Sequence, residues 1–135
     1  MSFRFYCRPL AATRVVPGTC RLRRDGQATF NGGDLRGAAI AGKVSVLIDD
    51  ELGRIAIRAA REDDPEDSLA TLYSRHRTGT ARMVRLTGAL REVGVMPAEV
   101  AGPQIITRKD DLLVLDFGAH RRAAKKPAAM RNSRT

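Results

Sequence analysis

The chain predicts a mainly β fold with short helices, of α+β class, in which two pseudo-repeats build one small, pseudo-symmetric barrel. Three observations carry this. Apolar residues gather in short runs rich in Val, Ile and Leu, such as "KVSVLID" and "LLVLDF", bounded by Gly, Asp or Pro as strands are. With four Phe, two Tyr and no Trp in 135 residues, the core has to be filled by aliphatic side chains, which suits a sheet with close backbone approach. A strand pair, a short helix and a second strand pair occur in the same order twice. Half a chain of this length exposes too much surface for its volume to hold a core alone, so one shared core is expected.

Taken in order, "FRFYCRPL" alternates apolar with polar or basic residues and reads as a strand ending at Pro9. Pro17 and Gly18 mark a turn. "TCRLRRDGQATF" reads as a hairpin, because Asp25-Gly26 is the dipeptide whose positive φ angles suit a tight type I′ turn. Asn31 is placed to cap a helix through "GGDLRGAA", with Gly42 breaking it before "KVSVLID" and "GRIAIRAA", a pair closed over "DELG". Residues 61–68, "REDDPEDS", offer too little apolar surface to pack and read as an acidic linker. The order then recurs: "LATLYSR" and "TARMVRL" around "HRTG", a helix "GALREVGV" capped by Thr87, and "PQIITR" and "LLVLDF" around "KDD". Aligning Leu35-Arg36 with Leu90-Arg91 brings Gly33 onto Gly88 and Ile40 onto Val95, after which "MPAEVAG" is an insertion. The expected organisation is a single globular domain over 1–120, made of pseudo-repeats at about 19–60 and 69–117, followed by a basic disordered tail over 121–135.

The residues "DGQATFNGGDLRGAAIAGKVSVLIDDELGRIAIR" resemble the AbrB-like swapped-hairpin module: a strand opened by Gly, a short helix carrying Leu-Arg, an apolar residue before a Gly, and a closing hairpin. Gly26, Thr29, Phe30, Leu35, Arg36, Ile40, Gly42, Val44, Val46, Ile55 and Ile57 fall where that pattern wants them. The resemblance implies a DNA-binding transcription regulator in which two modules interlace into one barrel, from two chains or, as in MraZ-like proteins, from tandem copies in one. Gln27 stands where a basic residue is usual, Asn31 where Pro is usual and Lys43 where an acid is common, which separates the fold inference from the DNA-binding one.

The formal net charge is +9, and its placement says more than its size. Residues 121–135 supply six of those charges through Arg121, Arg122, Lys125, Lys126, Arg131 and Arg134, so the body is only modestly basic. Acids concentrate in "IDDE" and "REDDPED", a flank that would repel a polyanion and turn it toward the opposite face. Arg21, Arg23 and Arg24 lie on the first hairpin; Arg75, Arg77, Arg82 and Arg85 lie on its counterpart. Side by side, these guanidinium groups would contact phosphates or guanine edges. Read more plainly, they are solubilising surface charges paired with the acids of 62–67. The tail is either a salt-sensitive nucleic-acid arm or a solubilising segment.

Enzymatic chemistry is not expected. The carboxylates of "IDDE" and "KDD" occupy turns, where Asp bonds its own backbone; "FNGGDLRG" lacks both the GKS/T ending and the G-x-G-x-x-G spacing. Cys7, Cys20, His76 and His120 lack zinc-site spacing, so no metal or other cofactor is expected. No run of about 18 apolar residues and no charged-then-apolar leader occurs, so a soluble cytoplasmic protein without membrane contact is expected. The leading reading is a small nucleic-acid-binding regulator, with double-stranded DNA as partner and Arg21, Arg23, Arg24, Arg77, Arg82, Arg85, Arg121, Arg122, Lys125 and Lys126 as contacts. The alternative is an interaction or assembly module of a mobile genetic element, a virion component or an inhibitor of a host enzyme, forming homo-oligomers or binding a protein through strand edges.

Overall fold

Around Asp25-Gly26 the side chains alternate as a half-buried hairpin requires: Cys20, Leu22, Ala28 and Phe30 are buried and Arg21 is exposed. In the computed structural model, which describes residues 2–5, 15–74 and 79–120, this hairpin is β1 (Thr19–Leu22) and β2 (Gln27–Phe30). The described chain continues through α1 (Gly32–Gly37), β3 (Lys43–Asp49), β4 (Arg54–Ala59), β5 (Leu69–Thr71), β6 (Arg82–Arg85), α2 (Thr87–Glu92), β7 (Gly102–Lys109) and β8 (Leu112–Asp116). Single turns of 3-10 helix precede β5 and β7, at Glu66–Ser68 and Pro97–Val100. The class is the expected one: a mainly β, α+β barrel.

The strands follow the order β5-β3-β4-β8-β7-β1-β2-β6, and every neighbouring pair is antiparallel. A bridge beyond β5 nearly closes the ring. The Tyr73 amide donates to the Met83 carbonyl at 3.0 Å and the Met83 amide returns to the Tyr73 carbonyl at 2.8 Å. Exchanging β1–β4 for β5–β8 leaves this order unchanged, which is the pseudo-symmetry the repeat predicts. Hairpin β1–β2 does not pair with β3–β4, nor β5–β6 with β7–β8; the ladders between them join opposite halves, β1 with β7, β2 with β6, β3 with β5 and β4 with β8, while the Tyr73–Met83 bridge lies within the second half. Each half therefore lacks a sheet of its own. Phe30, Ile55, Leu90, Leu113, Leu115 and Phe117 from both halves meet in a single buried cluster.

The helices confirm the spacing of 55 residues between Leu35 and Leu90. After α1 the Ile40 amide donates back to the Leu35 carbonyl at 2.9 Å, and after α2 the Val95 amide donates to the Leu90 carbonyl at 2.9 Å. The chain leaves each helix through a positive φ, +57° at Ala39 and +82° at Gly94, as a helix end of this type demands. Asn31 caps α1 as expected, its Oδ1 accepting from the Gly33 and Asp34 amides at 2.8 and 3.2 Å.

Three local expectations are corrected and a fourth is refined. The first turn is not type I′: of its residues only Gly26 has positive φ, the Gly26 amide donates to the Arg23 carbonyl at 3.0 Å, and the Arg23 amide donates to the Gln27 carbonyl at 2.8 Å. That is a turn over Arg23–Gly26 with Gly26 as the left-handed bulge residue. Thr87 does not cap α2; Leu86 is the N-cap, without a side-chain bond, because the Thr87 hydroxyl donates to the Asp25 carbonyl of the other half at 2.6 Å. Residues 2–5, the described part of the expected first strand, pair with no strand among the described residues, and β1 already lies between β7 and β2. Within 61–68, which is mostly exposed as a linker should be, Asp64 is the exception. The Asp64 side chain, 7% exposed, accepts from Ser45 Oγ, from Arg58 Nη1 and Nη2 at 2.9 and 2.7 Å, and from the Arg61 amide at 2.7 Å.

Candidate nucleic-acid interface

Cross-strand partners in an antiparallel ladder carry their side chains on the same face, so the register decides which arginines meet. Across the barrel's outer wall, one row runs Pro103, Arg21, Thr29, Met83 and Tyr73. The next runs Arg23, Gln27 and Arg85, the first pair joined by the Arg23 amide and the second by the β2–β6 ladder. Arg23 and Arg85 thus flank Gln27, two strand spacings apart, about 10 Å between backbones. The Tyr73 hydroxyl donates to Gln27 Oε1 at 2.6 Å, placing a half-exposed ring inside the basic surface.

The turn extends this surface into an open cleft of about 440 Å³ lined by Arg21, Leu22, Arg23, Arg24, Asp25, Ala101 and Gly102. Asp25, also exposed, lies among these arginines, and its Oδ1 accepts from the Gln27 amide at 3.0 Å. Arg21, Arg23, Arg24 and Arg85 are exposed. Among the described residues, Arg23, Arg24 and Arg85 form no ion pair. The opposite wall differs: Arg54 meets Asp116 at 3.2 Å, Arg58 meets Asp64 at 2.7 Å and Arg61 meets Asp111 at 2.8 Å. Arginine on the β4 side is therefore matched by carboxylates, whereas Arg23, Arg24 and Arg85 on the β1–β2–β6 side form no ion pair among the described residues.

Arg82 does not join this group. Its row is Cys20, Phe30 and Arg82, the inward one, and its Nη1 donates to the Gly79 and Ala81 carbonyls at 3.0 and 2.9 Å. Alternation along β6 requires this, since Arg85 three residues later points the other way. Arg75, His76, Arg77, Arg121, Arg122, Lys125 and Lys126 lie outside the described residues. Comparison with protein-family models, curated proteins and solved structures found no match for this chain.

Elsewhere the ionisable groups have structural surroundings. Asp49 Oδ1 accepts from the Glu51 and Leu52 amides, both at 3.0 Å, organising the β3–β4 turn. The bonds from Arg58, Ser45 and the Arg61 amide hold the Asp64 carboxyl well below the usual carboxylate range. The same pairing raises the Arg58 guanidinium. Burial pushes the Cys20 thiol up to about 12. Among the described residues no group of three or more His, Cys, Asp or Glu is arranged to hold a metal ion, and no helix is long and apolar enough to cross a membrane.

Two participants escaped the sequence reading. Gln27 and Tyr73 lie 46 residues apart, and only the β2–β6 ladder and the Tyr73–Met83 bridge bring them together. The Asp64 clasp was concealed by composition: in a run of acids nothing distinguishes the one that turns inward. Its only signal is Ser45, a polar residue among the apolar residues of β3, which is 2% exposed and needs a partner.

Proposed function

We propose that the protein binds nucleic acid, double-stranded DNA in the first instance, through the outer wall of β1, β2 and β6, as a small regulator of the kind its AbrB-like resemblance implies. The observation that carries this reading is the row Arg23–Gln27–Arg85 with Arg21 and Arg24 beside it, exposed and, at Arg23, Arg24 and Arg85, without carboxylate partners among the described residues. Guanidinium forks at this density suit phosphate oxygens. The paired arginines and acids of the β3–β4–β8 side give the barrel a polarity that would present this wall to a polyanion. Arg121, Arg122, Lys125 and Lys126 would add a sequence-independent electrostatic contribution.

The test is fluorescence anisotropy of a labelled duplex across a salt series. Each phosphate contact contributes about 0.9 to the slope of log affinity against log salt. Arg23→Ala with Arg85→Ala should reduce that slope by about 2, while Arg82→Ala, which faces inward, should leave it unchanged. Replacing the four tail cations by Ala should lower the slope further without removing the effect of Arg23 and Arg85. Binding that depends on the tail alone, or equally on Arg82, would overturn the assignment.

A further inference from the structure

Strand β3 is longer than its outer neighbour. It pairs with β5 only at Lys43, Val44 and Ser45, and from Val46 to Asp49 no described strand occupies that edge. Around the free edge Leu47, Ile48 and Leu52 are 37%, 41% and 49% exposed. An open strand edge with apolar side chains is a template for another strand, and proteins normally cover or charge it. The same chain carries an unused strand. Residues 2–5 read Ser-Phe-Arg-Phe and pair with no strand among the described residues, and Phe3 and Phe5 are 90% and 96% exposed.

We propose that the N-terminal arm of one copy adds as a short strand to the Val46–Asp49 edge of a second copy, and that a two-fold exchange of arms forms a homodimer. In an extended segment Phe3 and Phe5 share one face and Arg4 takes the other. Setting the phenyl rings beside Val46 and Ile48 places Arg4 on the face of Leu47 and Asp49, where the turn also supplies Asp50 and Glu51. Apolar groups then meet apolar groups, and the arm's cation meets the acidic β3–β4 turn. A slip of one residue would put both rings on the charged face, so the pattern specifies the register. Within its own chain the arm leaves its rings in solvent. A two-fold exchange satisfies both the edge and the arm, each copy giving what it receives. The edge belongs to β3, not to the arginine wall, so this inference stands apart from the nucleic-acid reading.

The full-length protein should be dimeric by light scattering across a concentration series. Phe3→Ser with Phe5→Ser should raise the dimer dissociation constant about a hundredfold or more, from the loss of two buried phenyl groups in each arm. Its thermal midpoint under monomeric conditions should not change, because those rings are almost wholly exposed in the monomer. Ile48→Lys should have the same effect from the other side. Mixing the two variants should give association stronger than either variant alone and weaker than wild type, since one keeps its edge and the other its arm, and the mixed dimer holds one intact site of the two. A wild-type protein that stays monomeric, a dimer indifferent to the arm substitutions, or a mixture that associates no better than either variant alone would each overturn the proposal.

Discussion

Gly26 joins the two halves of the barrel, and replacing it tests whether that junction matters as the geometry indicates. Its φ is +94°, and its carbonyl accepts from the Leu86 amide at 3.0 Å, where the first hairpin's turn meets the start of α2. A Cβ at this position would stand 2.8 Å from the Thr87 Cα. Backbone can yield only if the turn withdraws from the helix. The left-handed conformation alone costs a non-glycine residue about 1 kcal/mol. Forcing apart a packed contact adds about 1–3 kcal/mol. Gly26→Ala should therefore destabilise by about 2–4 kcal/mol, which lowers the thermal midpoint by about 8–16 °C for a domain of this size. Gly42 is the control: its φ is +79° and a Cβ there meets nothing within 4 Å, so Gly42→Ala should cost only the conformational part, about 1 kcal/mol or 4 °C. Thermal melts of the two variants followed by circular dichroism give the comparison directly. Equal losses would refute the reasoning, since they would mean that the turn does not press on α2. The contact has a counterpart in the other half, where a Cβ on Gly32 at the start of α1 would stand 2.8 Å from the Thr80 carbonyl oxygen. Glycine sits on the turn in one junction and on the helix in the other, each time facing threonine.

Asp64 and Cys20 yield two further predictions. The Asp64 carboxyl titrates below its ordinary value of about 3.9, so the stability it confers is fully present above that pH and is lost as pH falls through its folded-state value. Asp64→Asn should thus lower the thermal midpoint at pH 7, with the gap to wild type closing as the pH falls below about 4; a gap independent of pH would show that the charge on Asp64 contributes nothing. Cys20, buried and with its thiol raised, should resist alkylation at pH 8 in the native protein and react once denaturant unfolds the barrel, as peptide mapping would reveal. Rapid native alkylation at Cys20 would contradict its burial.

The sequence by itself determined the order of strands and helices, because local chemistry decides each step. Asn31 bonds the first amides of its own helix, alternating Cys20, Leu22, Ala28 and Phe30 can bury one face only, and Leu35 and Leu90 mark equivalent turns 55 residues apart. Aspartate in the β3–β4 turn was legible for the same reason, since Asp49 satisfies amides two and three residues away. What escaped depends on the partner each half presents to the other. Thr87 looks like a cap until the Asp25 carbonyl takes its hydroxyl, and Arg82 looks equivalent to Arg85 until the ladder with β2 turns it inward. The arginine wall was legible as a list of cations but not as a surface. Which of them stay unpaired is decided by where Asp64, Asp111 and Asp116 fall in the closed sheet, and that is a property of strands brought together from opposite halves of the chain.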